Sequence, residues 1–194
     1  MPSTPSVRRR RVVAAFAALA ALALSTSATA DKKLFFEESA SAFWAVPHEC
    51  ADGSIVQGTL LVFSTRDFES PDTEDPQPTA RVQFQAVCPD GTSFSWAAPV
   101  APATITSTEN LKSVTATGSG TARDILGGTH AVTFDVAWTG VGPLETTVNG
   151  PGSKRQERTA TATGQVTFDG VVLVNGAADH PTRPAPFIRV DTEK

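Results

Sequence analysis

Two cysteines and three histidines are the side chains of this sequence best suited to redox, metal or proton chemistry. Cys50 and Cys88 each open the same short motif, Cys50-Ala51-Asp52-Gly53-Ser54 and Cys88-Pro89-Asp90-Gly91-Thr92. Asp-Gly within three residues of a strand end is a hairpin turn signal, so the two cysteines occupy equivalent positions on neighbouring hairpins. No C-x-x-C spacing exists to lower a thiol pKa for redox work. The expectation is a structural disulfide between Cys50 and Cys88.

His48, His130 and His180 lie far apart, and no H-x-x-x-H or H-E-x-x-H pattern joins them, so they predict no metal site. His48 reads as a half-buried strand residue near the disulfide. Thr117-Gly118-Ser119-Gly120 lacks the spacing of a nucleophile elbow. Glu37-Glu38 and Glu74-Asp75 fall in polar segments and read as solvated charge, not as two carboxylates fixed across a cleft. The residue types and spacings therefore assign no catalytic residue, no metal ligand and no cofactor.

The aromatic residues carry a clearer pattern. Trp44, Phe84, Trp96, Phe134, Trp138 and Phe168 all fall on the apolar face of an alternating stretch, where they fill a core or line a pocket for an apolar ligand. The chain has no tyrosine, which weighs against an aromatic platform for carbohydrate or protein.

Turn chemistry sets the register that gives those faces. With Pro89 at the second turn position and Gly91 left-handed, a three-residue loop pairs Cys88 with Thr92, Ala86 with Phe94, Phe84 with Trp96 and Val82 with Ala98. A two-residue turn would put Phe94 and Trp96 on the face opposite Val82 and Phe84 and waste their burial. The first hairpin, counted the same way, pairs His48 with Val56, Val46 with Gly58, Trp44 with Leu60 and Ala42 with Val62. At Asp169-Gly170 a two-residue turn sets Phe168 against Val171 and Val166 against Leu173.

No stretch after residue 30 keeps a 3.6-residue apolar period, and β-branched and aromatic residues are frequent. The prediction is an all-β fold of eight main strands, near 41–50, 54–64, 80–88, 92–98, 112–122, 130–140, 158–169 and 171–176. Four consecutive hairpins favour an antiparallel meander that forms a small barrel, with a β-sandwich as the alternative. Gly118 and Gly120 share a face with Val114 and Ala116, where small residues let a strand bend or accept a ring, which favours the barrel. Segments 69–80, 99–110 and 141–158 read as surface connections.

The beginning of the chain says where these elements work. Arg8 to Arg11 precede an apolar run from Val12 to Leu24, and Ala28-Thr29-Ala30 closes it, the pattern of a secretory signal peptide cleaved before Asp31. Residues 31–194 then form one domain that is secreted and has no membrane span after cleavage. Loss of four arginines takes the formal charge from −4 to −8, which leaves no electrostatic footprint for nucleic acid or an anionic membrane. The arginine-over-lysine, Ala/Thr/Gly/Pro-rich usage points to a GC-rich bacterial genome. The expected function is a monomeric, secreted, non-catalytic binding or envelope-associated module whose partner is an unknown small molecule or protein. The alternative is a secreted enzyme whose site is assembled from separate strand ends.

Overall fold

The computed structural model describes residues 35–68, 78–178 and 186–193. Residues 1–30, read above as a signal peptide, and Glu74-Asp75 and His180 lie outside them. The described chain is almost entirely strand: β1 (Phe35–Glu49), β2 (Ile55–Phe68), β3 (Thr79–Val87), β4 (Ser93–Val100), β5 (Thr104–Ser107), β6 (Ser113–Asp124), β7 (Thr129–Gly140), β8 (Glu145–Gly150), β9 (Ser153–Phe168), β10 (Val171–Ala177) and β11 (Phe187–Glu193). A single 3₁₀ turn, Glu109–Leu111, precedes β6. Among the described residues no helix is long and apolar enough to cross a membrane.

Eight strands bond in an antiparallel ring, in the order β1-β2-β3-β4-β6-β7-β9-β11 and back to β1. β5 continues along the β6 edge that β4 starts, β8 continues along the β9 edge that β7 starts, and β10 lies on the other edge of β9 ahead of β11. Four hairpin turns cluster at one end of the ring, here the hairpin end. The described chain enters β1 and leaves β11 at the opposite end, here the open end because no hairpin turn among those four closes it.

The first two hairpins keep the registers that their turns dictate, from Ala42 opposite Val62 to His48 opposite Val56, and from Val82 opposite Ala98 to Ala86 opposite Phe94. Gly53 and Gly91 both take positive φ, and each donates its N–H to the carbonyl of the preceding cysteine. The same turn closes a third hairpin, where Gly127 donates to Asp124. At Asp169-Gly170 the turn pairs Phe168 with Val171, as expected, but a bulge at Val172–Val174 then sets Val166 against Val174 instead of Leu173. An extra residue on one strand shifts every later pair by one.

Two further readings need correction. The strand that closes the ring is β11, not residues 171–176, which form the side strand β10. The connections 99–110 and 141–158 contain β5, β8 and the start of β9.

Among the side chains described, even-numbered residues point inward in all eight ring strands, as the period of two requires. Leu60, Val62, Val82, Val132, Val136, Val166 and Ile188 are fully buried in one cluster with Trp44, Phe84, Phe134 and Trp138. Each such side chain contributes about 1.5–3 kcal/mol on leaving water. Trp138 keeps its polar atom satisfied by donating Nε1–H to the Ser41 carbonyl across the interior, at 2.8 Å. Gly118 and Gly120 are small for a reason: a Cβ would stand 2.7 Å from a Val100 methyl at the first and 2.6 Å from the Pro99 carbonyl oxygen at the second.

The ring is not a clean barrel, because two seams are thin. β4 meets β6 through only Trp96–Asp124 and Ala97–Arg123, leaving an outer groove of about 320 Å³ beside Arg81, Gln83, Gln85 and Arg123. The β1–β11 ladder ends at Ser41. Beyond it β10 stands beside β1, linked by a hydrogen bond of 3.3 Å from Trp44 Nε1 to the Gly176 carbonyl.

Candidate binding sites at the two ends of the ring

At the hairpin end the four turns are stitched in two pairs. Cys50 and Cys88 are joined by a disulfide with Cα atoms 6.0 Å apart, linking the β1–β2 and β3–β4 turns. The bond sits where it is needed, since the β2–β3 ladder runs out at Thr59–Gln85 and leaves both turns beyond it. The ligand atoms of His48, Cys50 and Cys88 lie within 4.8 Å of one another. Both sulfurs are committed to the disulfide, so this group offers a metal one imidazole and no thiolate.

The β6–β7 and β9–β10 turns are stitched by charge. His130 Nδ1 faces Asp169 Oδ2 at 2.8 Å and Nε2 faces Asp124 Oδ2 at 3.2 Å. Asp169 Oδ1 also accepts the Ala131 N–H, and Asp124 Oδ1 accepts those of Leu126 and Gly128, so neither carboxylate can turn away. The hydrogen bond to Asp169, then that to Asp124, raises the His130 pKa above its ordinary value, and His130 in turn holds both carboxyls below theirs. An imidazole whose two nitrogens both donate to carboxylates is a cationic clamp with no free nitrogen for proton abstraction or metal binding.

An aromatic row joins the two stitches. His48 stacks on Phe94 at 4.8 Å, Phe94 meets the edge of Phe84 at 6.1 Å, and Phe84 stacks on Trp96 at 5.9 Å. Trp96 packs on Phe168 at 4.8 Å, and Phe168 stacks on His130 at 4.4 Å. Of the six aromatics singled out in the sequence, Trp44, Phe84, Trp96, Phe134 and Trp138 all lie in the buried cluster of the ring with Phe168 packed against it, and Phe84, Trp96 and Phe168 carry that cluster into the plug at the hairpin end. His48 is half-buried beside the disulfide.

Above this plug the turns expose apolar side chains. Ile55 and Val87 flank the disulfide, Ile125 and Leu126 form the tip of the third hairpin, and Val171 and Val172 follow the tip of the fourth. They account for six of the eight large apolar side chains that stand exposed among the described residues, and Leu126 is 87% exposed. Glu49, Asp52, Asp90 and Asp169 are exposed beside them.

The open end is different in kind. A cavity of about 380 Å³ is lined by Glu38, Ser107 to Leu111, Leu144, Gln156 and Val190. Glu38 belongs to the pair read as solvated charge, and the structure overturns that for its side chain: Glu38 is 5% exposed. It sits at an inward, even position of β1, opposite Val190 on one side and Arg66 on the other. Burial pushes its carboxyl pKa up, against a hydrogen bond with Ser107 and the charge of Arg66. Asn110 and Leu111 both take positive φ, 60° and 53°, in the turn over this cavity.

Sequence reasoning missed both the His130 clamp and the Glu38 cavity. His130 and Asp169 are 39 residues apart, and only the β7–β9 pairing brings them together. For Glu38 the available signal was parity, since counting back from Trp44 in steps of two ends on it. Compared with known proteins, the chain matches no family model, no curated protein and no solved structure.

Proposed function

We propose that the chain is a bacterial protein secreted after removal of residues 1–30, and that its domain is a non-catalytic binding module that docks a partner protein through the hairpin end. The observation that carries this reading is the set of six exposed apolar side chains on four adjacent turns. Scattered single apolar residues on a surface need no explanation, whereas a concentration at one end marks an interaction surface. The turns are held by a disulfide, an Asp-His-Asp clamp and an aromatic plug, so little conformational freedom is lost on docking. The acidic side chains beside the tips select a partner with a basic rim and disfavour anionic lipid or nucleic acid. The disulfide fits an oxidising compartment, and the occupied nitrogens of His130 fit a surface that binds without reacting.

Site-specific photocrosslinking tests this. Leu126→p-benzoylphenylalanine, in a bacterial host that secretes the protein with its own leader, is expected to give a discrete protein adduct. Ser119→p-benzoylphenylalanine, on an exposed mid-wall position, is expected to give none, and Val171→Asp with Val172→Asp should abolish the Leu126 adduct. Equal adducts at the two positions, or adducts to lipid alone, overturn the reading.

A further inference from the structure

The cavity at the open end is independent of the hairpin end and carries its own chemistry. Its lining has two carboxylates, Glu38 and Glu109, and no basic group. Arg66 faces Glu38 across the β1–β2 ladder but is not part of the lining. Leu111 and Val190, each 6% exposed, and half-buried Leu144 supply an apolar wall, while Thr108, Asn110 and Gln156 supply neutral polar groups. The volume lies within the range of small-molecule sites.

Glu38 has Ser107 and the charge of Arg66 as partners, and two further features bear on what the cavity does. The inward positions that follow on β1 are Ala40, Ala42, Trp44 and Val46, so an apolar residue at position 38 would extend the same core without taking a carboxylate out of water. The turn above places two successive non-glycine residues in the left-handed region, at about 1–3 kcal/mol each. That conformation buries the Leu111 side chain in the cavity wall, and the Lys112 carbonyl anchors the turn by accepting the Gly140 N–H at 2.8 Å. A buried carboxylate facing a cavity and a strained loop forming its wall together mark a ligand site.

We propose that this cavity binds a small organic cation, an alkylammonium whose charged group pairs with Glu38 and whose apolar body lies against Leu111, Leu144 and Val190. The neutral polar groups give the remaining ammonium hydrogens acceptors, from the Asn110 and Gln156 side-chain carbonyls. Glu109, on the exposed turn, adds negative potential at the cavity.

An isosteric series tests charge and shape separately. The protein is titrated with n-butylammonium, n-butanol and n-butyrate while amide resonances of Ser107 to Leu111, Gln156 and Val190 are followed by NMR. Saturable shifts are expected with n-butylammonium, at least tenfold weaker binding with n-butanol, and none with n-butyrate. Glu38→Gln should weaken n-butylammonium at least tenfold while the spectrum stays folded. Leu144→Trp, which fills the cavity from a half-buried connection and leaves Glu38 in place, should block binding altogether. Equal binding of all three probes, absence of a saturable shift with n-butylammonium, or undiminished binding in folded Glu38→Gln overturns the proposal.

Discussion

Removing the disulfide should cost this fold a large part of its stability, and the size follows from where the bond sits. Cys50 and Cys88 are 38 residues apart, so in the chain-entropy model the cross-link withholds about 4 kcal/mol of loop-closure entropy from the unfolded state at 25 °C. Domains of this size are stable by about 5–15 kcal/mol, so the loss is a quarter of the total at the least. The double variant Cys50→Ala with Cys88→Ala is the right perturbation, because a single change leaves a buried free thiol. Both positions are nearly inaccessible, and the substitution removes little more than the two sulfurs. Urea unfolding followed by tryptophan fluorescence is expected to show the lower stability together with a steeper denaturant dependence, since the uncrosslinked unfolded chain exposes more surface. The ring current that Phe94 imposes on His48 from 4.8 Å reports separately on the native turns, and its loss would show that the β1–β2 and β3–β4 tips have parted. A decrease below about 1 kcal/mol with an unchanged slope would refute the reasoning, because it would mean that the turns are held together without the bond.

Three further expectations follow from other contacts. Because both carboxylates favour the imidazolium, His130 should titrate above its ordinary value of 6.5 by NMR, and Asp169→Asn should return it toward that value. The clamp's contribution is present near neutral pH, is lost as pH rises through the raised His130 pKa, and is lost again as pH falls through the lowered pKa values of Asp124 and Asp169. Amide exchange at Ala131 and Gly128 should therefore be slowest between those limits, and a flat pH profile after correction for intrinsic exchange would contradict the clamp. Gly120→Ala should destabilise by about 1–3 kcal/mol in chemical denaturation, since the new Cβ meets the Pro99 carbonyl oxygen at 2.6 Å as well as a Val100 methyl at 2.9 Å, and the backbone cannot turn aside. Trp138→Phe should cost about 1–3 kcal/mol by the same assay, because the buried Ser41 carbonyl loses its donor.

Local chemistry wrote much of this fold legibly. The two C-x-D-G turns, with alternating apolar residues on either side, were enough to place every pair from Ala42–Val62 to His48–Val56 and from Val82–Ala98 to Ala86–Phe94. The third turn of the same type escaped because Ile125 and Leu126 stand at its tip, where polar residues are the rule. β11 escaped because Pro184 and Pro186 precede it and its alternation, Ile188 and Val190 against Arg189 and Asp191, lasts only a few residues. At the candidate sites the balance reverses. The disulfide was legible because two identical motifs implied equivalent positions. Glu38 was not, because a charged residue reads as solvated until the strands on either side of it are known.

The ring closes with its two most distant parts, since β1 opens the described chain and β11 ends it. Seven of the eight ring strands are present once Phe168 has been made, and β10 follows directly. Until residues 187–193 arrive, β1 over Phe35–Ser41 and β9 over Ser153–Thr159 present unpaired edges, each with a row of free N–H and C=O groups. A chain made from its beginning therefore holds an open sheet whose two free edges are satisfied by one last segment. Loss of a few residues from the C-terminus would do more than shorten a strand: it would leave two sticky margins exposed on a nearly complete wall, and self-association through those margins becomes the competing fate.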